Sequence, residues 1–402
     1  MQNYHFDLSE LRLTRALFFC LASIHSLGRV LSITSARDLS RILHREKIMP
    51  AFSGTTVIFS LFANLLSGHC LYMASDRLRF FVSAGAQALA IGLVIAASIK
   101  GSLYMALMGS TLTGGASVSG GLAAAGLLRE FDAAVVVGWT SGGGLAGLLA
   151  ALGYLVAKAA GARFVVAFAA ALPLLGVYVG IYAVLERRAR RPTAFVPLEE
   201  EARGVEGSNR LNSPFGGQTE LGVYPPIPIN SDSQPLNSST LPFVWRAMRS
   251  RSPLIFCVTL CSHSCTGFLS HLLTSGGGPL DFEAIQVAFH CGAFAGRSLF
   301  RRLKLRHLWP PALAVALAAL LAFVVAAMGI RPPPVLVGLG AVVVGFSAGT
   351  ASSTVLAMVL GDQTIPRTMK EACIHFNAAA GDLGVALNSV LGLAVLHSWK
   401  DS

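Results

Sequence analysis

The chain has 402 residues, of which 53% are hydrophobic and 13% are charged. A soluble domain carries about a quarter charged residues, so this composition excludes an ordinary water-soluble fold. The formal net charge of +11 does not require a nucleic-acid partner, because lysine and arginine are enriched on the cytosolic side of membrane proteins.

Apolar residues are grouped into stretches of about 20 that contain almost no charge, which is the length of a helix that crosses a bilayer. In chain order these stretches are 13–33, 51–73, 78–99, 102–128, 134–157, 164–185, 253–273, 283–299, 308–329, 335–360 and 372–396. The sequence therefore predicts an all-α polytopic membrane protein with about eleven transmembrane helices in two bundles.

Residues 1–11 contain Asp7 and Glu10 but no lysine or arginine, which predicts a retained helix and not a cleaved signal peptide. With the N-terminus in the cytosol, most basic residues of the loops fall on the cytosolic side, as the positive-inside rule requires. Four basic residues in the first outer loop argue against this orientation, namely Arg37, Arg41, Arg45 and Lys47.

Between the two halves, residues 187–252 are polar and rich in proline, serine and asparagine, which predicts a disordered cytosolic linker. The predicted bundles are then 1–186 and 253–402. Within the linker, Tyr224 and Ile227 form a tyrosine-x-x-apolar pattern that trafficking adaptors bind as an extended peptide. A chance match is the alternative for this candidate sorting signal.

Residues 137–155 form a tryptophan-, serine- and glycine-rich run that resembles the fifth helix of the battenin family of endolysosomal and vacuolar membrane proteins. Residues 35–39, 292–298 and 381–387 resemble further blocks of that family in the same order. The resemblance implies a major-facilitator-like fold in a lysosomal or vacuolar membrane, and links to vacuolar pH balance, basic amino acids and glycerophosphodiesters. The chain departs from the family at His25 and Ser26, where the family has paired asparagines, and at Gly121 and Cys261, where the family is acidic.

Ionisable side chains at membrane depth indicate function, because an unpaired charge there costs several kcal/mol. The candidate substrate or coupling residues, four of which lie in the battenin-like blocks, are His25, Arg29, Asp38, Trp139, His290, Arg297, His375 and Asp382. Histidine changes charge between about pH 5 and 8, so a histidine in this set could load a proton in an acidic lumen. The alternative is that these residues form pairs that only hold helices together.

Two helices carry pairs of glycines four residues apart, a pattern that lets helix backbones approach closely. Gly143 and Gly147 lie in the fifth stretch, and Gly292 and Gly296 lie in the eighth. In a major-facilitator-like fold these two helices face each other across the halves, so the glycines predict a contact between the bundles. Packing within one bundle is the alternative.

No pattern indicates catalysis, a cofactor or a metal site, and we expect the protein not to be an enzyme. Cys257, Cys261 and Cys265 repeat every four residues beside His263, but a tetrahedral metal site would need further ligands. We expect the lipid bilayer and a small-molecule substrate as partners. The favoured hypothesis is a secondary transporter of small polar metabolites, with a non-transporting membrane scaffold and a nucleoside-type carrier as alternatives.

Overall fold

A computed structural model describes residues 8–66, 75–128, 131, 135–189, 240–269, 282–303, 307–330, 332–362 and 364–398. The described residues form α-helices joined by short connections, with no strands among them. In chain order the helices are α1 Leu8–His25, α2 Leu27–Thr34, α3 Ala36–Ile42, α4 Met49–Leu66, α5 Asp76–Lys100, α6 Leu103–Leu128, α7 Val136–Ala159, α8 Phe164–Ala169, α9 Leu172–Ala189, α10 Leu241–Met248, α11 Ser252–Ser264, α12 Phe282–Leu303, α13 Trp309–Ala327, α14 Pro334–Gly361 and α15 Arg367–Ser398.

Eight helical segments within these ranges are long and apolar enough to cross a membrane. The other three predicted stretches correspond to α4, to α11 with the π-helical turn Cys265–Leu269 that follows it, and to α12. Helix α12 is less apolar because it contains Glu283 and Arg297. The prediction of an all-α polytopic membrane protein is confirmed, and the number of helices is consistent with about eleven spans.

Local sequence sets where the long helices begin and end. Ser75 caps α5 by accepting a hydrogen bond from the backbone N–H of Leu78 at 3.3 Å, and Gly101 ends that helix with a left-handed φ of 67°. Helices α13 and α14 each have a proline in the first turn, where the missing N–H is not needed. These signals confine each span to one crossing of the membrane.

The helices form two bundles, one built from α1 to α9 and one from α10 to α15. In the first bundle α5 packs on α6 and α1 packs on α7, while in the second α12 packs on α14 and α11 packs on α15. The bundles meet where α4 contacts α15 and where α7 contacts α12. Below, the side of the membrane on which α1 begins is called the N-side.

The two glycine pairs have different neighbours. A Cβ atom at Gly143 would lie 3.0 Å from the guanidinium of Arg297, and one at Gly147 would overlap the ring of His290, so both glycines face α12 across the bundle interface. Gly292 and Gly296 instead face α14 within the second bundle. The structure therefore places one pair between the bundles and the other inside one bundle.

On α14, Gly345 and Gly349 complete the close packing with α12. A Cβ atom at either position would overlap the backbone of Phe289 or Ala293. The close approach of the two backbones fixes the position of α12. It thereby also fixes where the side chains lie that α12 presents to the first bundle.

The predicted disordered linker 187–252 extends too far at both ends. Helix α9 continues to Ala189, and α10 lies inside the predicted linker with Val244 and Met248 fully buried. Apolar packing of α10 on α15 fixes this segment, so the ordered second bundle begins near residue 240. Tyr224 and Ile227 lie outside the described residues.

We expect Gly345→Ala to lower the free energy of unfolding by about 1–3 kcal/mol, because the added methyl group forces α12 and α14 apart. Gly340→Ala is the matched control on the same helix, since nothing lies within 4 Å of a Cβ atom there. It should be neutral or stabilise the helix by up to about 1 kcal/mol. Unfolding of the purified variants in mixed detergent micelles measures both, and equal effects would contradict the packing described here.

Candidate functional site

Asp382 on α15 connects the second bundle to the first. Its side chain is 9% exposed, and its Oδ1 atom lies 3.3 Å from Nη2 of Arg29 on α2. Its Oδ2 atom accepts hydrogen bonds from Ser60 Oγ at 2.6 Å and from Asn64 Nδ2 at 2.9 Å, both on α4. One buried carboxylate of the second bundle is therefore neutralised and hydrogen-bonded entirely by the first bundle.

A chain of polar groups continues from Asp382 towards the N-side. Asn64 Oδ1 lies 3.2 Å from Nδ1 of His375, and Nε2 of His375 lies 3.9 Å from Oε1 of Glu371. The same Glu371 oxygen lies 3.9 Å from Nη1 of Arg79 on α5. All three ionisable side chains are at most 10% exposed, so the chain joins α4, α5 and α15 inside the protein.

Arg297 on α12 lies at the second contact between the bundles, beside Gly143 and Gly144 of α7. Its Nε atom is buried without a hydrogen-bond partner, and the described residues offer it no ion pair. Arg29 is close enough for the two positive charges to repel each other. This guanidinium is therefore an uncompensated cation at the bundle interface.

On the side opposite the N-side, a second ion-pair network joins the bundles. Nζ of Lys158 at the end of α7 lies 2.9 Å from Oε1 of Glu283 at the start of α12 and 3.0 Å from Oδ2 of Asp38 on α3. Tyr154 donates a hydrogen bond to Asp38 at 2.8 Å. Because the Glu283 side chain is only 1% exposed, its charge depends on Lys158 for compensation.

His25 lies inside the first bundle. Its Nδ1 atom lies 3.0 Å from the hydroxyl of Tyr178, and its ring packs 5.5 Å from that of Trp139. Helical backbone hydrogen bonds continue from α1 into α2 through Ser26, so His25 and Arg29 lie one turn apart, but the first contacts Tyr178 and the second contacts Asp382.

A narrow cleft lies between the bundles beside the π-helical turn Cys265–Leu269. Its polar lining includes Ser53, His263, Thr266 and Asn388. The turn contains Gly267 with φ −93° and ψ −111°, which interrupts the helix next to the cleft. Helices broken at this depth commonly line substrate sites in transporters.

The cysteines do not assemble a metal site within the described ranges, where no group of three or more histidine, cysteine or acidic side chains could hold a metal. Cys257 is exposed, and Cys261 and Cys265 pack at the edge of an apolar cluster.

Of the predicted residues, the structure brings Arg29, His375 and Asp382 into one network and places Arg297 beside it. It places Asp38 on the opposite side and His25 with Trp139 inside the first bundle. Sequence reasoning missed six interface residues, which are Ser60, Asn64, Arg79, Lys158, Glu283 and Glu371. Spacing could have indicated three of these residues. Ser60 and Asn64 are four residues apart and so share a helix face, and Glu371 shares one with His375 in the same way.

Comparison with known proteins decides the family. A protein-family model described as "CLN3 protein" matches residues 17–234, more than half of the chain. The chain therefore belongs to the CLN3 protein family. This match confirms the resemblance to battenins that the sequence blocks indicated, and it includes the network residues of α2, α4 and α5.

A curated relative of this CLN3-family chain is Battenin from Dictyostelium discoideum, which is 25% identical over 162 residues. The alignment covers 40% of this chain and 38% of that protein, so the chain matches less than half of its relative's length.

Two solved transporters have a similar fold. The nucleoside transporter NupG superposes with a TM-score of 0.58 and 11% identity, covering 96% of this chain and 91% of that one. The human organic anion transporter MFSD10 (TETRAN) superposes with a TM-score of 0.53 and 15% identity, covering 96% and 93%. At these identities the likeness concerns the fold alone, and it confirms the major-facilitator-like architecture.

We expect Asp382→Ala to lower the free energy of unfolding by about 3 kcal/mol, because it leaves Arg29 without its buried counter-ion. The double variant Arg29→Ala, Asp382→Ala should lose less than the sum of the two single variants. Glu10→Gln is the control, since Glu10 pairs with Arg188 but is 57% exposed, and it should cost about 1 kcal/mol or less. Strict additivity in micelle unfolding would contradict the pair.

Proposed function

We propose that this protein is a secondary transporter that moves small anionic or zwitterionic metabolites across a lysosomal or vacuolar membrane by alternating access. Glycerophosphodiesters and amino acids are the substrate classes, and the transport contributes to vacuolar pH homeostasis. The proposal rests on the family membership, the major-facilitator-like fold and the charges at the bundle interface.

The uncompensated guanidinium of Arg297 carries the proposal. A charge that is buried at membrane depth without a partner costs several kcal/mol and is retained where it serves a function. Its Nε atom has no partner, and Arg29 adds positive charge nearby. A phosphodiester or carboxylate bound between the bundles would accept charge-assisted hydrogen bonds from this guanidinium and relieve the repulsion.

The ion pairs between the bundles support alternating access. Arg79 and Glu371 join the bundles on the N-side, and Lys158 and Glu283 join them on the opposite side. Breaking one set while keeping the other would expose the interface to one side of the membrane at a time. Both sets are side-chain contacts between the bundles, which rocking of rigid bundles could exchange.

For the orientation we propose a cytosolic N-side, so that the segment 190–239 between α9 and α10 is cytosolic as well. The basic residues Arg187 and Arg188 at the end of α9 fit this side by the positive-inside rule. A cytosolic segment would make Tyr224 and Ile227 accessible to trafficking adaptors, which is the proposed route to the lysosome or vacuole.

Uptake into vesicles that contain the purified protein tests the transport proposal. The probes are radiolabelled glycerophosphocholine, lysine and uridine. We expect uptake of an anionic or zwitterionic probe, and Arg297→Ala should reduce it by about tenfold or more, as loss of a charged hydrogen bond does. Arg297→Lys should retain part of it.

Arg302→Ala is the matched control, because Arg302 lies on the same helix but is exposed at its N-side end. It should leave uptake unchanged. Uptake that is insensitive to Arg297→Ala would remove this residue from the substrate site. Uptake of uridine alone would favour a nucleoside-type carrier, and absence of all uptake would leave the membrane scaffold.

A further inference from the structure

We propose that α10 is a lipid-binding helix, which lies at the N-side surface of the membrane and binds the headgroup of an anionic phospholipid through Arg246 and Arg249. Three features of the helix support this function, which are its anchoring, the side chains that it leaves uncovered, and their charge. Lipid binding at α10 does not depend on transport or on which side of the membrane is cytosolic.

Apolar packing and one ion pair hold α10 against the second bundle. Val244 and Met248, four residues apart on one face, are 0% exposed and pack with Met369 near the start of α15. Just after the helix, Nη2 of Arg251 lies 2.7 Å from Oδ2 of Asp362 at the end of α14. The first span of the second bundle, α11, begins at the next residue, so α10 is held at the membrane surface.

The uncovered side of α10 changes from apolar to basic around the helix. With about 3.6 residues per turn, residues four apart follow one another around a helix with a small rotation. Leu241, Trp245 and Arg249 form such a row, which starts beside the buried face. Arg246 lies beyond Arg249, on the side farthest from the buried face. Leu241 and Trp245 are 44% and 53% exposed, and both arginines are exposed as well.

Trp245 indicates that the apolar flank of α10 meets the lipid. Its ring packs edge-on against that of Phe376 on α15, with the ring centroids 6.0 Å apart, and about half of the side chain is left uncovered. Tryptophan is enriched where membrane proteins leave the bilayer, because its ring is apolar and its N–H is polar. An acyl chain beside Trp245 would also cover Leu241.

Arg246 and Arg249 lack a counter-charge. Neither side chain forms a hydrogen bond or an ion pair with any residue that the structure describes. Residues 240–252 contain no aspartate or glutamate, and Asp362 near the end of α10 is already paired with Arg251. The two guanidiniums therefore form a cationic surface whose counter-charge comes from another molecule or from a part of the chain outside the described residues.

An anionic phospholipid matches both parts of this surface. A guanidinium can donate two parallel hydrogen bonds to a phosphate, and each basic residue near an anionic membrane strengthens the attraction about fivefold. The headgroup would bind Arg246 and Arg249 while the acyl chains cover Leu241 and Trp245. A soluble anion could pair with the arginines but would gain nothing from the apolar flank, so a membrane lipid is the better fit.

Quenching of Trp245 fluorescence by brominated lipids tests the site in the full-length protein. The protein is placed in phosphatidylcholine nanodiscs that contain increasing fractions of brominated phosphatidylserine or, in a parallel series, brominated phosphatidylcholine. Because the chain has four tryptophans, the signal of Trp245 is the difference between the wild-type protein and Trp245→Phe. We expect brominated phosphatidylserine to quench this signal at a several-fold lower fraction than brominated phosphatidylcholine does.

Arg246→Gln and Arg249→Gln should each reduce the preference for phosphatidylserine about fivefold, and the double variant should abolish it. Arg45→Gln is the matched control. The Arg45 side chain is also exposed and has no partner within the described ranges, but it lies on the opposite side of the membrane. This control should keep the wild-type preference.

Equal quenching by the two lipids in the wild-type protein would overturn the site, as would a preference that survives the double variant. The wild-type comparison is decisive even if a variant does not fold. The chain's own acidic residues Glu199, Glu200 and Glu201 are the alternative occupant. If the preference appears only after all three are changed to glutamine, the arginines of α10 pair with the chain itself and the lipid assignment is wrong.

Discussion

The buried carboxylate of Asp382 is the interaction on which the arrangement of the two bundles depends. It lies at a depth where a lone charge costs several kcal/mol, and every contact that neutralises it comes from the other bundle. In lipid the hydrophobic effect does not favour one arrangement of the bundles over another, because lipid tails are as apolar as the helix surfaces. A directional ion pair with two hydrogen bonds does, so Asp382 and Arg29 help to set how α2, α4 and α15 meet.

Charge is unevenly distributed along the interface, and this asymmetry fits the anionic or zwitterionic substrate that we propose. Near the middle, Asp382 is satisfied, whereas Arg297 is not, and the net charge of the region is positive. Towards each surface of the membrane the charges are paired between bundles, by Arg79 with Glu371 and by Lys158 with Glu283. An interface that is held at both ends and cationic in the middle suits an anionic ligand that must be enclosed and then released.

Glycines at the helix contacts determine where the charged side chain of Arg297 lies. Gly345 brings α12 into backbone contact with α14, and Gly147 lets α12 approach α7 through the ring of His290. The position of Arg297 is therefore set from both sides by residues that have no side chain of their own. Small residues at helix contacts and charges at the interface act together, since the close packing at Gly143 and Gly144 holds the Arg297 side chain at the interface with its Nε atom buried.

By itself, the sequence determined the helical spans, the two bundles and the glycine-rich contacts, because span length and hydrophobicity are local properties that a bilayer dictates directly. It also singled out Arg297 and Asp382, since a charge at membrane depth is costly wherever it points. Only the tertiary structure decided their partners: Asn64 meets Asp382 from 318 residues away, and no local pattern encodes such a contact. His25 and Arg29 likewise lie one helical turn apart in the sequence, and only the tertiary structure pairs His25 with Tyr178 inside the first bundle and Arg29 with Asp382 across the interface, because both partners come from distant helices.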